Sequence, residues 1–164
     1  MLRDFIAAAA VWGCYGMIVA AMVWDLVAYR IPNFLSLAVA CLFPVAMLAS
    51  GRGTDWPAHL GTGAALFAIG AVLFWFRWFG GGDVKLLAAI GLWIGLKGLP
   101  VYLAYVGLIG GGLGLVLILI RRLVGRFADR QADTGRGLPR LLQRDGPVPY
   151  GLAIGAGALL MGLS

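Results

Sequence analysis

A chain of 164 residues that is 62% hydrophobic and only 12% charged has the wrong composition for a water-soluble domain. Its net charge of +6 does not describe a nucleic-acid surface either, because seven of its thirteen basic residues are arginines gathered between positions 121 and 144. The composition predicts an all-α membrane bundle, and at roughly 20 apolar residues per crossing the length accommodates about six helices in a single domain, 1–164, with no room for a separate soluble one.

The first apolar segment, 5–24, has too long a run and too weak a charged start for a signal peptide, so it reads as a membrane helix. Asp25 closes it, and Arg30, Ile31, Pro32 and Asn33 form the turn before the second segment, 34–50. Pro32 stops one helix, and Asn33 is expected to cap the next. A glycine- and proline-containing loop over 51–57 leads to the third segment, 58–76. Beyond it Phe74, Trp75, Phe76, Trp78 and Phe79 surround Arg77 in the manner of an interfacial aromatic belt.

Three glycines, Gly80, Gly81 and Gly82, then precede Asp83 and a fourth segment, 84–96. At ~1.5 Å per residue this segment spans only about 20 Å, short of the ~30 Å hydrocarbon layer. Asp83 is therefore expected to sink into a shallow, wet notch shielded by neighbouring helices. Gly98 and Pro100 separate a fifth segment, 101–120, from the fourth; a basic loop, 121–147, follows, and 148–163 forms the sixth. The pairs Gly91/Gly95, Gly107/Gly111, Gly110/Gly114 and Gly151/Gly155 have GxxxG spacing, which marks tight helix packing and fixes no oligomeric state. Cys14 and Cys41 lie inside apolar runs without metal-ligand or disulfide spacing, so no metal or cofactor is expected.

Lys and Arg accumulate on the cytoplasmic side of membrane proteins. Arg30, Arg77, Lys85 and the arginine cluster fall in odd-numbered loops or beside them, against Arg52 and Lys97 in the even-numbered ones. Both termini are then outside the cytoplasm, and Asp25 and Asp83 share its face.

The chain has seven aspartates and no glutamate. Asp4 and Asp55 are expected in short loops, while Asp129, Asp133 and Asp145 accompany the arginines. Asp25 and Asp83 remain, each where an apolar helix meets a polar turn, a position that is unfavourable for a charge unless it has a task. Two carboxylates around one water share a proton, so one acts as base and the other as acid, which suffices for peptide hydrolysis. A serine triad lacks members, since His59 is the only histidine and is expected in the opposite, second loop. Asp83 would begin a helix and Asp25 would end one, so the helix dipole predicts that Asp83 ionises more readily.

The segment Phe79-Gly80-Gly81-Gly82-Asp83-Val84-Lys85-Leu86 resembles the GxGD signature of intramembrane aspartyl proteases, and Lys85 makes it similar to the type IV prepilin peptidases. Asp25 with Arg30-Ile31-Pro32-Asn33 resembles the first catalytic motif of that family, and Pro149-Tyr150-Gly151 its C-terminal motif. The resemblance covers essentially the whole chain. It implies a bacterial inner-membrane, multi-pass endopeptidase that cuts the basic leader from prepilin or pseudopilin precursors, after a glycine and before the hydrophobic helix of the mature pilin. Asp25 and Asp83 match the catalytic aspartates. Gly80, Gly82, Ile31, Pro32, Asn33, Pro149, Tyr150 and Gly151 match site-shaping positions, and Lys85 either holds the loop, meets an acidic substrate group or simply reaches for water. Longer family members carry a cytoplasmic insertion with paired cysteines that accompanies N-methylation. This sequence contains no CxxC and resembles the short form of tight-adherence (Flp) pilus systems, so methyltransferase activity is not expected.

The implied partners are the prepilin or pseudopilin, membrane lipid and pilus assembly machinery, with no nucleic acid. Two other readings use the same residues. A proton-coupled transporter should hold its carboxylates near the midplane, in related halves, whereas these lie toward one face. A non-enzymatic assembly subunit would leave the glycine-bounded Asp83 without a purpose. A presenilin-like protease shares GxGD, but Pro149-Tyr150-Gly151 differs from the Pro-Ala-Leu motif expected there.

Overall fold

Local backbone chemistry sets where each helix stops. In the computed structural model, which describes residues 1–51, 53, 55–128 and 148–163, α1 (Leu2–Ala28) ends where Tyr29 turns left-handed (φ 52°), its N–H closing onto the Asp25 carbonyl at 2.9 Å. Pro32 is the N-cap of α2 (Asn33–Ser50), so Asn33 is the first helical residue and its side chain makes no cap, contrary to expectation. Asp55 caps α3 (Trp56–Trp75) by accepting the Ala58 N–H at 3.3 Å, and Asp4 lies in the first turn of α1, paired with the N-terminal ammonium. Both acids therefore serve helix starts: Asp55 from the short loop before α3, as expected, and Asp4 from inside α1 and not from a loop.

The fourth and fifth predicted segments merge into α4 (Gly81–Ala128), which is interrupted at Gly95 (φ 64°, ψ 179°) and not at Gly98 and Pro100. The left-handed φ favours glycine, and a Cβ there would come within 2.9 Å of the His59 ring. In an unbroken helix the Leu92 carbonyl would receive the Leu96 N–H. Here His59 Nδ1–H donates to it at 2.7 Å, while the ring stacks on Phe43 with centroids 5.3 Å apart. His59 is thus a structural residue of α3 and not a loop residue. Its replacement by alanine removes the carbonyl's substitute donor and is expected to lower unfolding stability by about 1–3 kcal/mol. Thermal unfolding in detergent measures this.

At Gly95 the chain doubles back. Tyr150, at the start of α5 (Tyr150–Met161), stacks on Phe79 just before α4 and also meets Gly110 in the second half of α4, whereas Gly98 lies against Met161 at the other end of α5. The basic stretch beginning at Arg121 is helical through Ala128 and so not wholly a loop; residues 129–147, with Asp129, Asp133 and Asp145, lie outside the described residues.

Leu2–Ala28, Asn33–Ser50, Trp56–Trp75 and Gly81–Val124 are each long and apolar enough to cross a membrane, and α5 is a shorter apolar helix. Val23, Leu37, Ile69, Leu108 and Leu115 are all more than half exposed. An outer surface of this character is covered by lipid. The chain is a membrane protein.

Packing makes a ring. α1 contacts α2 and α5, and α4 contacts the same two helices, while α3 sits outboard on α4. Side chains at helical spacing fill the interior: Cys14, Ile18 and Ala21 from α1, Leu35, Val39 and Phe43 from α2, Leu86, Ile90 and Trp93 from α4, and Ile154 and Ala158 from α5. The Trp93 indole donates to the Val39 carbonyl at 2.8 Å, tying α4 to α2. Glycine permits the closest crossing outside the ring, where Gly91 of α4 meets Gly63 and Leu66 of α3. Gly107, Gly111 and Gly114 face open space, so the GxxxG spacings do not all mark packing within the chain.

Candidate active site

Asp25 is the last member of the buried stripe Ala10, Cys14, Ile18, Ala21, Asp25 along α1. Asp83 occupies the same kind of position on α4, one turn before Leu86 and Leu87 and two before Ile90, all buried. Each helix therefore aims its carboxylate toward the ring interior, where an apolar side chain would continue the pattern. Both are nearly sealed from solvent, at 5% and 9% exposure. No Cα of α1 lies within 8 Å of one in α4, and the two acids are brought to one place through Ile31, against which both Gly82, next to Asp83, and Gly151, bonded to Asp25, lie.

Neither acid is paired with a cation among the described residues. Backbone donors hold them instead. Asp83 Oδ2 accepts the Gly80 N–H at 3.2 Å, and Asp25 Oδ2 accepts the Gly151 N–H at 2.8 Å in the first turn of α5. Asp25 thus ends one helix while sitting at the N-terminus of another, where free N–H groups favour negative charge. The dipole contrast expected to separate the two aspartates loses its basis.

The glycines leave room for these contacts. A Cβ on Gly80 would lie 2.8 Å from Asp83 Oδ2; on Gly82 it would lie 2.9 Å from Ile31 Cβ and 3.2 Å from the Ile31 N and O; on Gly151 it would lie 2.7 Å from Ile31 Cδ1 and 2.8 Å from Asp25 Oδ2. Ile31, buried, therefore wedges between the starts of α4 and α5 beside the carboxylates. Pro149 is buried as the N-cap of α5, and Tyr150 stacks on Phe79 with centroids 5.3 Å apart. Phe79 consequently turns inward, leaving Phe74, Trp75, Phe76 and Trp78 as the exposed aromatics.

Lys85 faces outward, and its Nζ donates to Asn33 Oδ1 at 2.8 Å. Of its three expected roles, the contact present is the one that holds the turn. Lys85→Met and Asn33→Ala are each expected to slow substrate turnover less than tenfold, and the double variant to be no worse than the slower single one, because both remove the same bond. Initial rates of the four proteins test this. No group of three or more His, Cys, Asp or Glu side chains suited to a metal gathers among the described residues.

Asp25, Asp83, Gly80, Gly82, Ile31, Pro149, Tyr150 and Gly151 thus meet at one end of the ring, with Pro32, Asn33 and Lys85 on its rim. Residues 12–115, well over half of the chain, match the type IV leader peptidase family. A prepilin leader peptidase/N-methyltransferase of Aeromonas hydrophila is 50% identical over 42 residues, a stretch covering 26% of this chain and 14% of that relative. No solved structure matches. Two signatures brought together at one end of a helical ring and a family match spanning both lead to one assignment: the chain belongs to the type IV leader peptidase family.

Proposed function

We propose that the chain is an aspartic endopeptidase that removes the basic leader from prepilin or pseudopilin precursors at the cytoplasmic face of the bacterial inner membrane. The observation that carries this reading is the pair Asp25 and Asp83, drawn from two helices to the same end of the ring beside Ile31, both buried and without a cation partner among the described residues. With one proton shared between them, the ionised carboxylate takes a proton from a water held in the gap. The resulting hydroxide attacks the scissile carbonyl carbon. The protonated partner gives its proton to the carbonyl oxygen, and collapse of the tetrahedral intermediate returns a proton to the departing amine. The N–H groups of Gly80 and Gly151 keep each carboxylate oriented through the cycle.

Six crossings suit this reading: α1, α2, α3, α4 before Gly95, α4 after it, and α5. The part of α4 before the break is about 20 Å long, which leaves Asp83 below the surface, reachable by water. Arg30, Arg77, Lys85, Arg121 and Arg122 lie toward the end of the ring that holds the carboxylates, and Lys97 lies past Gly95 at the other. The rule of cytoplasmic positive charge then puts the site at the cytoplasmic face and both termini outside. The stretch 121–147 serves orientation and lipid contact, since its charge repels a basic leader. Two carboxylates at one end of the bundle also suit an enzyme better than a transporter.

The reading is tested by co-expression with prepilins of type IV and Flp systems. Mass spectrometry of the pilin is expected to find a new N-terminus immediately after the leader glycine. Full-length precursor throughout, with the peptidase present in the membrane, would reject it.

A further inference from the structure

Beside the site, α2 and α3 both lie on α4 but leave a gap between themselves, no Cα of one coming within 8 Å of the other. The gap is a furrow of about 420 Å³ floored by Ala88 and Ala89 of α4, with Leu37 and Phe67, both at least half exposed, on its lipid-facing rims. Phe43, Trp56 and His59 close its lower end by ring contacts across α2 and α3. Its upper end is the Lys85–Asn33 bond. Lys85 is two residues past Asp83, and Asn33 two past Ile31, so this end of the furrow lies within one helical turn of the elements that carry the site.

Ser36 also lines the furrow. It is 4% exposed, and its hydroxyl has no hydrogen-bond partner among the described residues. An unpaired hydroxyl inside an apolar wall is unfavourable until something bonds to it. A lipid acyl chain brings no such group. A peptide pulled out of helical geometry does, because its N–H and C=O groups lose their partners where water is scarce.

We propose that this furrow receives the residues that directly follow the scissile bond, held extended, with Ser36 bonding to their backbone; the inference rests on the peptidase reading above. From Lys85 to Leu92 is about 10 Å of helix, room for about three extended residues at ~3.3 Å each. A volume of about 420 Å³ admits a single extended chain and is too small for a whole helix, whose diameter is ~10–12 Å. The bond to be cut is thereby unwound, and the rest of the substrate's apolar segment remains in lipid.

The test uses the full chain in membranes with a prepilin it cleaves. In an Asp83→Asn, Cys41→Ala background, Leu37→Cys and Phe67→Cys are oxidised against prepilins carrying one cysteine at the second, third or fourth position after the cut, with Leu115→Cys as a lipid-facing control. Disulfides at the furrow positions at least tenfold above the control are expected, and yields equal to the control overturn the proposal. Independently, Ser36→Ala in the active protein is expected to unfold at or above the wild-type temperature while kcat/KM falls about 3- to 10-fold, the effect of one hydrogen bond; unchanged kcat/KM would contradict the Ser36 role. Ala88→Phe, which fills the furrow, is expected to release no bound phospholipid and to slow cleavage tenfold or more. Loss of a phospholipid with cleavage intact makes the furrow a lipid site. Cleavage by wild type with no furrow crosslink defeats this inference alone, whereas absence of cleavage by wild type defeats the peptidase reading and this inference with it.

Discussion

Replacing either Asp25 or Asp83 by asparagine is expected to abolish the proposed leader removal, with initial rates of purified protein on a prepilin falling at least ~10²–10⁴-fold, the range of one positioned acid or base. Asparagine keeps the aspartate shape and can still accept the Gly151 or Gly80 N–H, so unfolding temperature is expected to change little. The Asp25→Asn, Asp83→Asn double variant is no slower than the slower single variant, because groups acting as a unit are lost together. Substantial processing by either single variant would remove that residue from the mechanism. A transporter or assembly subunit predicts no such pattern.

Gly151→Ala is the second large effect, and it acts without touching either acid chemically. Its methyl would sit 2.7 Å from Ile31 Cδ1 and 2.8 Å from Asp25 Oδ2. The isoleucine methyl can swing aside, but Asp25 Oδ2 is bonded to the N–H of this same residue and must move with respect to it. A displacement near 1 Å in a catalytic group reduces turnover about 10²-fold, so kcat falls by that order while KM changes little. Gly155→Ala, one turn further along α5, is the comparison. Its methyl meets Met22 and Ile18, not Asp25, so it perturbs stability and leaves kcat within a few-fold of wild type. Equal kcat losses in the two variants would show that α5 acts through packing alone.

Helix spacing made much of this arrangement readable in advance. The apolar segments are present as helices, and both aspartates stand at helix ends beside polar turns. A stronger signal was also available: Asp25 continues the stripe Ala10, Cys14, Ile18, Ala21, which places it on the buried face by periodicity alone. The misplaced features are non-local. Gly98 and Pro100 look like a loop, but Pro100 is tolerated inside the second half of α4. The break falls at Gly95 because His59, 36 positions earlier, packs where a side chain would stand and supplies the missing donor. The hold of α5 on Asp25 spans 126 positions and uses a backbone N–H, which leaves no mark on residue type except a glycine. The Lys85–Asn33 bond likewise joins residues 52 positions apart, where the local patterns suggested a cap for Asn33 and left three roles open for Lys85.

The central claim is that Asp25 and Asp83 titrate as one coupled pair. Site-resolved carboxyl carbon NMR of the protein in detergent, with aspartate labelled and Asp25→Asn and Asp83→Asn used for assignment, measures it directly. Coupled carboxylates lose their protons in two macroscopic steps, each visible at both sites. The Asp83 resonance is therefore expected to follow a two-step curve in wild type and a single step, at a shifted midpoint, in Asp25→Asn. Superimposable Asp83 curves in the two proteins would contradict the account.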